Sequence, residues 1–431
     1  MPRISGWGNY PSIDTNLELF DTIEQAKSIV LEAPEIVYQG NLRSYGDSAL
    51  NERALNTRNF SYVFDFDKKS GILHATSGLL IGDILSFVVE YGWFLAVVPG
   101  TKLVSIGGAI AADVHGKNHH IDGGFSNFVV SFNLMLPNGE IINWSKHDNE
   151  DLFYATCGGM GLTGLILDVV IQLVPIDSAY LQRKTIVTKG LEETFQVMED
   201  LRGTRFLVSW IDTSAEPKKI GRAKITSAEF INDSNYNVPR NRAFSIPSYL
   251  PGFCMASQTI RAMNACYFAL PIAREKVIDF DRFFFPLDAI GNWNKVYGRK
   301  GFIQYQFVVP KKHSEIAIKR ILEKLRELKL YSFLSVLKNT GKCNKGWLSF
   351  PMEGMSLALD FQYSDDLLPK LELLDEIVIG YGGRLYLAKD CRMSQSTFKA
   401  GYRHYEKFKN FRIDRGMKAR IESKQSIRLG L

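Results

Sequence analysis

Short apolar runs alternate with polar turns through the first part of the chain. Glu35–Gln39 (EIVYQ) predicts a strand, and the polar turn GNLRSYGDSAL follows it. Tyr62–Phe66 predicts a second strand, Lys69-Ser70-Gly71 a turn, and Ile72–Ala75 a third strand. Gly82–Tyr91 carries the spacing of an amphipathic helix, and Trp93–Val98 (WFLAVV) reads as a strand. Asn127–Leu136 and Ile141–Trp144 flank PNGE, where Asn138-Gly139 is a strong hairpin signal. Leu165–Val174 is a continuous apolar strand closed by Pro175.

From about Ser178 the character changes. Aromatic strands such as RFLVSWID and GFIQYQFVVP alternate with charged helices, SEIAIKRILEKLREL being the clearest. Residues 247–275 are rich in Pro, Met and aromatic residues and lack a clean period, which predicts a mobile lid over a site or an irregular loop. After Gly383 comes RLYLAKD and then a basic helical tail. At 431 residues the chain exceeds one ordinary core, so two domains are expected.

Composition adds little until its distribution is considered. Apolar residues at 45% and charged residues at 23% are those of a soluble globular protein. The five cysteines lack any CxxC pair and read as thiols of a reducing compartment. The N-terminus has no apolar stretch of signal length, and Asp83, Glu90 and Gly92 interrupt the most apolar window, so no membrane span is expected. Between Arg403 and Arg428 nine basic residues face three acids, which accounts for the whole net charge of +6. That tail predicts a solvated helix or attraction to anionic lipid headgroups; it carries no nucleic-acid reading motif.

Three glycine-rich turns carry the chemistry. Gly40–Asp47 follows a strand directly, Gly107-Gly108-Ala109 opens GGAIAAD, and Gly158–Gly164 reads GGMGLTG. Glycine lets main chain approach an anion, and successive N–H groups then cradle phosphate oxygens; the second turn also suggests a helix start against a pyrophosphate. Together the three point to a dinucleotide. The third spells GxGxxG, yet an apolar strand follows it where a Rossmann unit needs a helix, so that reading is rejected. His115-x-x-x-His119-His120 invites a zinc reading, but Gly116 and Asn118 oppose a helix and no Cys/His pair completes a tetrahedral set.

The order RSYGD, PGTKLVSIGGAIAADVHGKNHH, GGMGLTGLIL, GFIQYQF and GGRLYLAKD resembles the decaprenylphosphoryl-β-D-ribose 2′-oxidase family, of the FAD-binding PCMH type in the vanillyl-alcohol oxidase superfamily. ISGWG, SWIDT, YSFLSVLK and LSFPMEG fit the same pattern, so the resemblance covers nearly the whole chain. It implies an α+β fold of two domains: an FAD-binding domain in residues 1–177, a substrate-binding domain with an antiparallel sheet in 178–383, and a segment 384–431 returning to the first. FAD would be lined by Gly40, Asn41, Arg43, Ser44, Tyr45, Gly46 and Asp47, by Gly100 and Thr101, and by Gly107, Gly108, Ala109, Ala112 and Asp113. His115, Gly116, Lys117, Asn118, Gly161, Thr163, Gly164, Ile166 and Tyr386 would complete the set. Arg43 stands where many relatives carry a flavin-linked His, which implies non-covalent FAD.

The resemblance also assigns the reaction. A secondary sugar hydroxyl, the ribose 2′-OH of a polyprenyl-phosphoryl ribose, would give hydride to the flavin while a base accepts the proton. Lys389 is the first choice for that hydroxyl, since burial or cationic neighbours lower a lysine pKa toward the working range. Gln304 and Tyr45 would orient the sugar, Lys338 and Lys117 would hold its phosphate or neighbouring hydroxyls, and His115 belongs to the same group. Plain alternatives are a Lys389–Asp390 pair and a surface Lys338; Gln304 and Gln306 share one face, leaving one of them open to a structural role. Phe284-Phe285, Met355-Ser356 and Ala358 depart from mycobacterial members, all on the substrate side. The implied partners are a lipid-linked sugar phosphate, an NAD(P)H-dependent short-chain reductase for the keto product, and peripheral contact with the cytoplasmic membrane face. An aldonolactone or alditol oxidase, or a flavin-binding protein without turnover, are the rival readings.

Overall fold

A computed structural model describes residues 1–238 and 244–431. Near the N-terminus Asn16–Leu19, Arg53–Asn56 and Val37–Gln39 form a three-stranded parallel sheet in that order. Two of its strands are joined by the helix Ile23–Glu32, where Thr22 and Gln25 close a capping box that satisfies N–H groups a helix start leaves free. Ala26 and Val30 on its inner face pack with Phe20, Ile36, Leu55 and Phe60, and with Met135, Leu165 and Leu167 of the next sheet.

That second sheet is antiparallel, in the order Ile141–Ser145, Val129–Met135, Leu165–Gln172, Ile72–Thr76, Val63–Asp67. The hairpin at Asn138-Gly139 forms as its turn chemistry requires, with Gly139 left-handed at φ 76°. Leu165–Gln172 follows the third glycine turn at once, so no Rossmann helix starts there.

The largest sheet has eight strands in the order Glu275–Asp279, Tyr180–Thr188, Ala223–Phe230, Phe206–Ile211, Ser335–Thr340, Gly354–Gln362, Phe302–Pro310, Arg384–Leu385. The helices Ser314–Glu327 and Leu367–Gly380 pack on it and on each other. The period of two along a strand then sorts its side chains. Tyr305, Phe307, Leu337, Leu357 and Leu359 are buried in the core, whereas their neighbours Gln304, Gln306, Val336, Lys338, Ser356 and Ala358 line a cavity on the other face.

Three expectations change. Only Trp93–Phe94 of WFLAVV pairs as a strand, with Val174–Pro175; beyond it the chain is held by side chains, Asn118 Nδ2 donating to the Ala96 carbonyl at 2.7 Å. Residues 247–275 are not aperiodic throughout: Ser257–Ala269 is a 13-residue helix. Its period is hidden because only Ile260 and Asn264 are buried, and Asn264 is polar, donating to Asp212, Ser214 and the Ser332 carbonyl. The basic tail folds into Gln395–Gly401, Tyr405–Asp414 and Lys424–Leu429, and part of its charge is internal. Arg412 is fully buried and donates to the Leu162 carbonyl at 3.0 Å, Arg420 donates to the Val30 carbonyl, and Arg428 is ion-paired. No helix among the described residues is long and apolar enough to cross a membrane.

Candidate active site

A cavity of about 350 Å³ lies between the glycine turns and the side-chain face of the eight-stranded sheet. One wall is main chain. Val37–Gln39 delivers the turn Gly40–Tyr45, in which Leu42 is left-handed at φ 50°, a conformation that gathers successive N–H groups into a concave nest. The N–H groups of Asn41, Leu42, Arg43 and Ser44 donate to no group among the described residues. Gly40 and Gly107 permit close approach: a Cβ would lie 2.1 Å from Ser105 Oγ at the first and 2.7 Å from Ser77 Cβ at the second.

The second turn works differently from its expected role. GGAIAAD does form a helix, Ile106–Ala111, capped by Ser105. Its first donors are already engaged, Ile106 N–H by the Leu79 carbonyl, Gly107 N–H by Ser77 and Gly108 N–H by Ser105 Oγ. This helix start therefore offers the cavity small residues and not free donors. Four buried polar atoms on cavity-lining residues lack a partner: Tyr38 OH, Arg43 Nε, Ser77 Oγ and His115 Nδ1. Unpaired buried polar atoms are costly, and their convergence on one cleft with a free N–H nest fits a large polar cofactor such as FAD.

The opposite wall is side chains in register. Gln304 lies directly across from Asp360, and its amide Nε2 donates to Asp360 Oδ1 at 2.6 Å; Tyr297 OH donates to the other oxygen at 3.3 Å. Gln306 Nε2 meets His115 Nε2 at 2.9 Å and Ser356 Oγ at 3.2 Å. Because His115 Nε2 accepts there, its proton sits on the unpartnered Nδ1. Both glutamines thus serve the cavity. Lys389 enters on the turn after Arg384–Leu385, its Nζ 3.7 Å from the Tyr45 ring centroid. It makes no ion pair with Asp390, which is held instead by Arg428.

Arg428 also fixes the two turns to each other. Its guanidinium donates to both oxygens of Asp47, at 3.0 and 2.8 Å, and to Asp390 at 2.9 Å. Tyr45 N–H donates to the Ala388 carbonyl, and Gly46 is needed because a Cβ would lie 2.0 Å from the Asp390 carbonyl oxygen.

Burial tunes the charged groups. It lowers Lys389 to about 7, against the opposing pull of the Asp360 carboxylate and reinforced by Lys338. Lys338 falls to about 8 through burial alone, and Asp360 rises to about 7 because desolvation outweighs its donors. Burial, then Lys338, His119 and Lys389, keep His115 well below the usual imidazole range, so it is neutral.

The cavity brings together Tyr45, His115, Gln304, Lys338 and Lys389, with Gly40, Asn41, Arg43, Ser44, Gly100, Thr101, Gly107, Gly108, Ala112, Gly161, Gly164, Ile166 and Tyr386. Other expected residues stand behind its wall. Asp47 pairs with Arg428, Ala109 is in the core, and Thr163 bonds Thr156 at 3.0 Å. Asp113 is fully buried and accepts from Ser126 N–H, Asn344 and Ser349 Oγ, bracing distant loops. Gly116 packs on Asn118 and Val98, and Asn118 is held by Ala96 and Asp122. Lys117 turns away, its Nζ donating to the Phe283 carbonyl and lying 4.1 Å from that residue's ring centroid. His115 and His119 lie with ring centroids 6.3 Å apart, each nitrogen-bonded elsewhere, His119 Nδ1 to Gly341 N–H.

Comparison with known proteins decides the family. The FAD binding domain family matches residues 19–145. Decaprenylphosphoryl-β-D-ribose oxidase of Mycolicibacterium smegmatis is 33% identical over 422 residues, covering 93% of this chain and 91% of its own. The chain belongs to the decaprenylphosphoryl-β-D-ribose oxidase family. As a member it has the α+β, FAD-binding PCMH-type fold and is an FAD-dependent oxidoreductase. Human Δ(24)-sterol reductase is 25% identical over 134 residues, 31% of this chain and 26% of the reductase. L-gulonolactone oxidase of Scyliorhinus torazame is 27% identical over 173 residues, 38% of each chain. Asp360, Tyr38 and Ser77 were not singled out by sequence reasoning. The one available signal was the lone acid at an inward position of the apolar strand GMSLALDF.

Proposed function

We propose that this protein oxidises the 2′-hydroxyl of a polyprenyl-phosphoryl ribose to the 2′-keto sugar, the first half of epimerisation to polyprenyl-phosphoryl arabinose. One observation carries the reading: a cavity whose main-chain wall suits FAD faces Lys389, Lys338, Gln304 and Tyr45 on the other side. Its support is similarity along nearly the whole chain to a protein named for that substrate. Bound FAD would accept the hydride from the carbinol carbon.

The chain's own residues do the rest. Lys389, held near 7, is neutral often enough at working pH to take the hydroxyl proton. Gln304 gives its amide N–H to Asp360, which leaves the glutamine's oxygen to receive a sugar hydroxyl, beside the Tyr45 phenol. Lys338, near 8, keeps its charge at neutral pH and meets the phosphate or a neighbouring hydroxyl. Arg43 cannot bond the flavin as a histidine does, so FAD is held non-covalently.

The division into 1–177 and 178–383 is supported by the separate sheets the two parts build, with Arg384–Leu385 as a last strand of the second; Arg428 ties 384–431 back to the first part. An NAD(P)H-dependent short-chain reductase would take the keto product, and the enzyme would work at the cytoplasmic membrane face. The test is the visible spectrum under anaerobic conditions. Polyprenyl-phosphoryl ribose should bleach the flavin and free polyols should not; bleaching by polyols alone would make this an alditol oxidase.

A further inference from the structure

Ile290 and Asn292 both line the cavity and reach solvent, so they mark its mouth. Phe244–Ser245 pairs with Ile290–Gly291 in a short parallel ladder. The chain then runs beside Trp293–Tyr297, Leu250 N–H donating to the Lys295 carbonyl and Lys295 Nζ to that of Pro247, both at 3.1 Å. Residues 244–253 are thus a built rim of the mouth. Its underside is packed, through Ile246 and Met255 against Leu287 and Trp293. Its outer side is not. Phe244 is 73% exposed and Phe253 71%, with Tyr249 and Leu250 also exposed. Single exposed apolar residues are ordinary, but a run of them beside a ligand cleft marks an interaction surface.

Charge narrows what the surface meets. Residues 244–274 contain no Asp or Glu, while Arg261 and Arg274 within them and Arg299 and Lys300 after the neighbouring turn are exposed. Exposed aromatic rings in a segment that carries basic residues and no acids suit the boundary of an anionic bilayer. A bilayer at the mouth would keep the polyprenyl chain of the proposed substrate out of water while its sugar reaches in.

We propose that the rim 244–253 seats its aromatic side chains in the headgroup region of an anionic phospholipid bilayer, so that the cavity mouth opens onto the membrane. This rests on the lipid-linked substrate proposed above. The test is co-sedimentation of full-length, flavin-loaded protein with vesicles of mixed phosphatidylglycerol and phosphatidylcholine, and of phosphatidylcholine alone. The wild type should pellet with the anionic vesicles and more weakly with the neutral ones. The double variant Phe244→Ser/Phe253→Ser should bind at least about tenfold more weakly, as expected when two interfacial rings are removed. Each single variant carries the same test should the double one lose its flavin. A wild type that stays in the supernatant, or a double variant that pellets equally well, overturns the proposal. So does light scattering that shows a wild-type dimer split by these substitutions, since the rim would then be covered by a second copy. Flavin reduction by a short-chain, water-soluble polyprenyl-phosphoryl ribose is read in parallel and should be unchanged in the variant. Failure of that substrate with the wild type would defeat the proposed reaction, while the vesicle result still decides the surface.

Discussion

The turn Gly40–Tyr45 meets the cavity with free main-chain N–H groups, whereas Phe302–Pro310, Ser335–Thr340 and Gly354–Gln362 meet it with side chains selected by strand alternation. The first wall asks of the sequence only small residues and one left-handed turn. The second asks for particular groups at alternate positions, opposed in register, with their pKa values set by burial. Damage to the two walls should therefore look different. A main-chain lesion costs the cofactor, while a side-chain lesion leaves a coloured protein that does not turn over.

The sharpest break comes at Lys389. Lys389→Ala should keep its flavin yet be reduced by substrate roughly 10²–10⁴-fold more slowly, the range for loss of a general base; stopped-flow absorbance reads this. Arg428→Ala removes the one guanidinium shared by Asp47 and Asp390, leaving buried Asp47 without its ion pair and Asp390 with the N–H donors of Arg392 and Met393. We expect a loss of about 3 kcal/mol in stability, seen as a lower Tm of the holoenzyme. Gly107→Val drives a side chain into Ser77 and tests the main-chain wall. It should weaken FAD retention by about 1–3 kcal/mol, measured by flavin released on dialysis, with the remaining holoenzyme reacting normally.

Asp360→Asn is the subtlest. It frees the Gln304 amide to rotate and should slow flavin reduction about tenfold, the effect of one lost charged hydrogen bond. The pH profile gives its signature. In the wild type the reduction rate rises with pH through about 7 as Lys389 loses its proton, and falls above about 8 as Lys338 loses its charge. The Asp360 carboxylate holds the Lys389 pKa up, so its removal should move the rising limb to lower pH.

What local rules govern was legible in the sequence. Asn138-Gly139 announced its hairpin, and the composition of Gly40–Tyr45 announced a turn, whose N–H groups are left free. Roles set by distant partners were not. Asp113 was expected to line FAD through the family resemblance, yet its carboxylate is used by Asn344 and Ser349, more than two hundred residues on. The helix Ile106–Ala111 looked like a phosphate cradle until Leu79 and Ser77 were seen to occupy its donors. Lys338 and Lys389 stood out only through family resemblance, because no local pattern distinguishes a tuned lysine from a solvated one. Asp360 lay in plain view as a single acid in a buried strand, but its partner Gln304 is defined by strand register, which the sequence does not print.

The most direct measurement is the visible spectrum of the purified protein before and after anaerobic addition of polyprenyl-phosphoryl ribose. A yellow protein that bleaches on addition, and in which Lys389→Ala stays yellow, is the predicted result. A colourless folded protein that takes up no added FAD, or a Lys389→Ala variant that bleaches as fast as wild type, would contradict it.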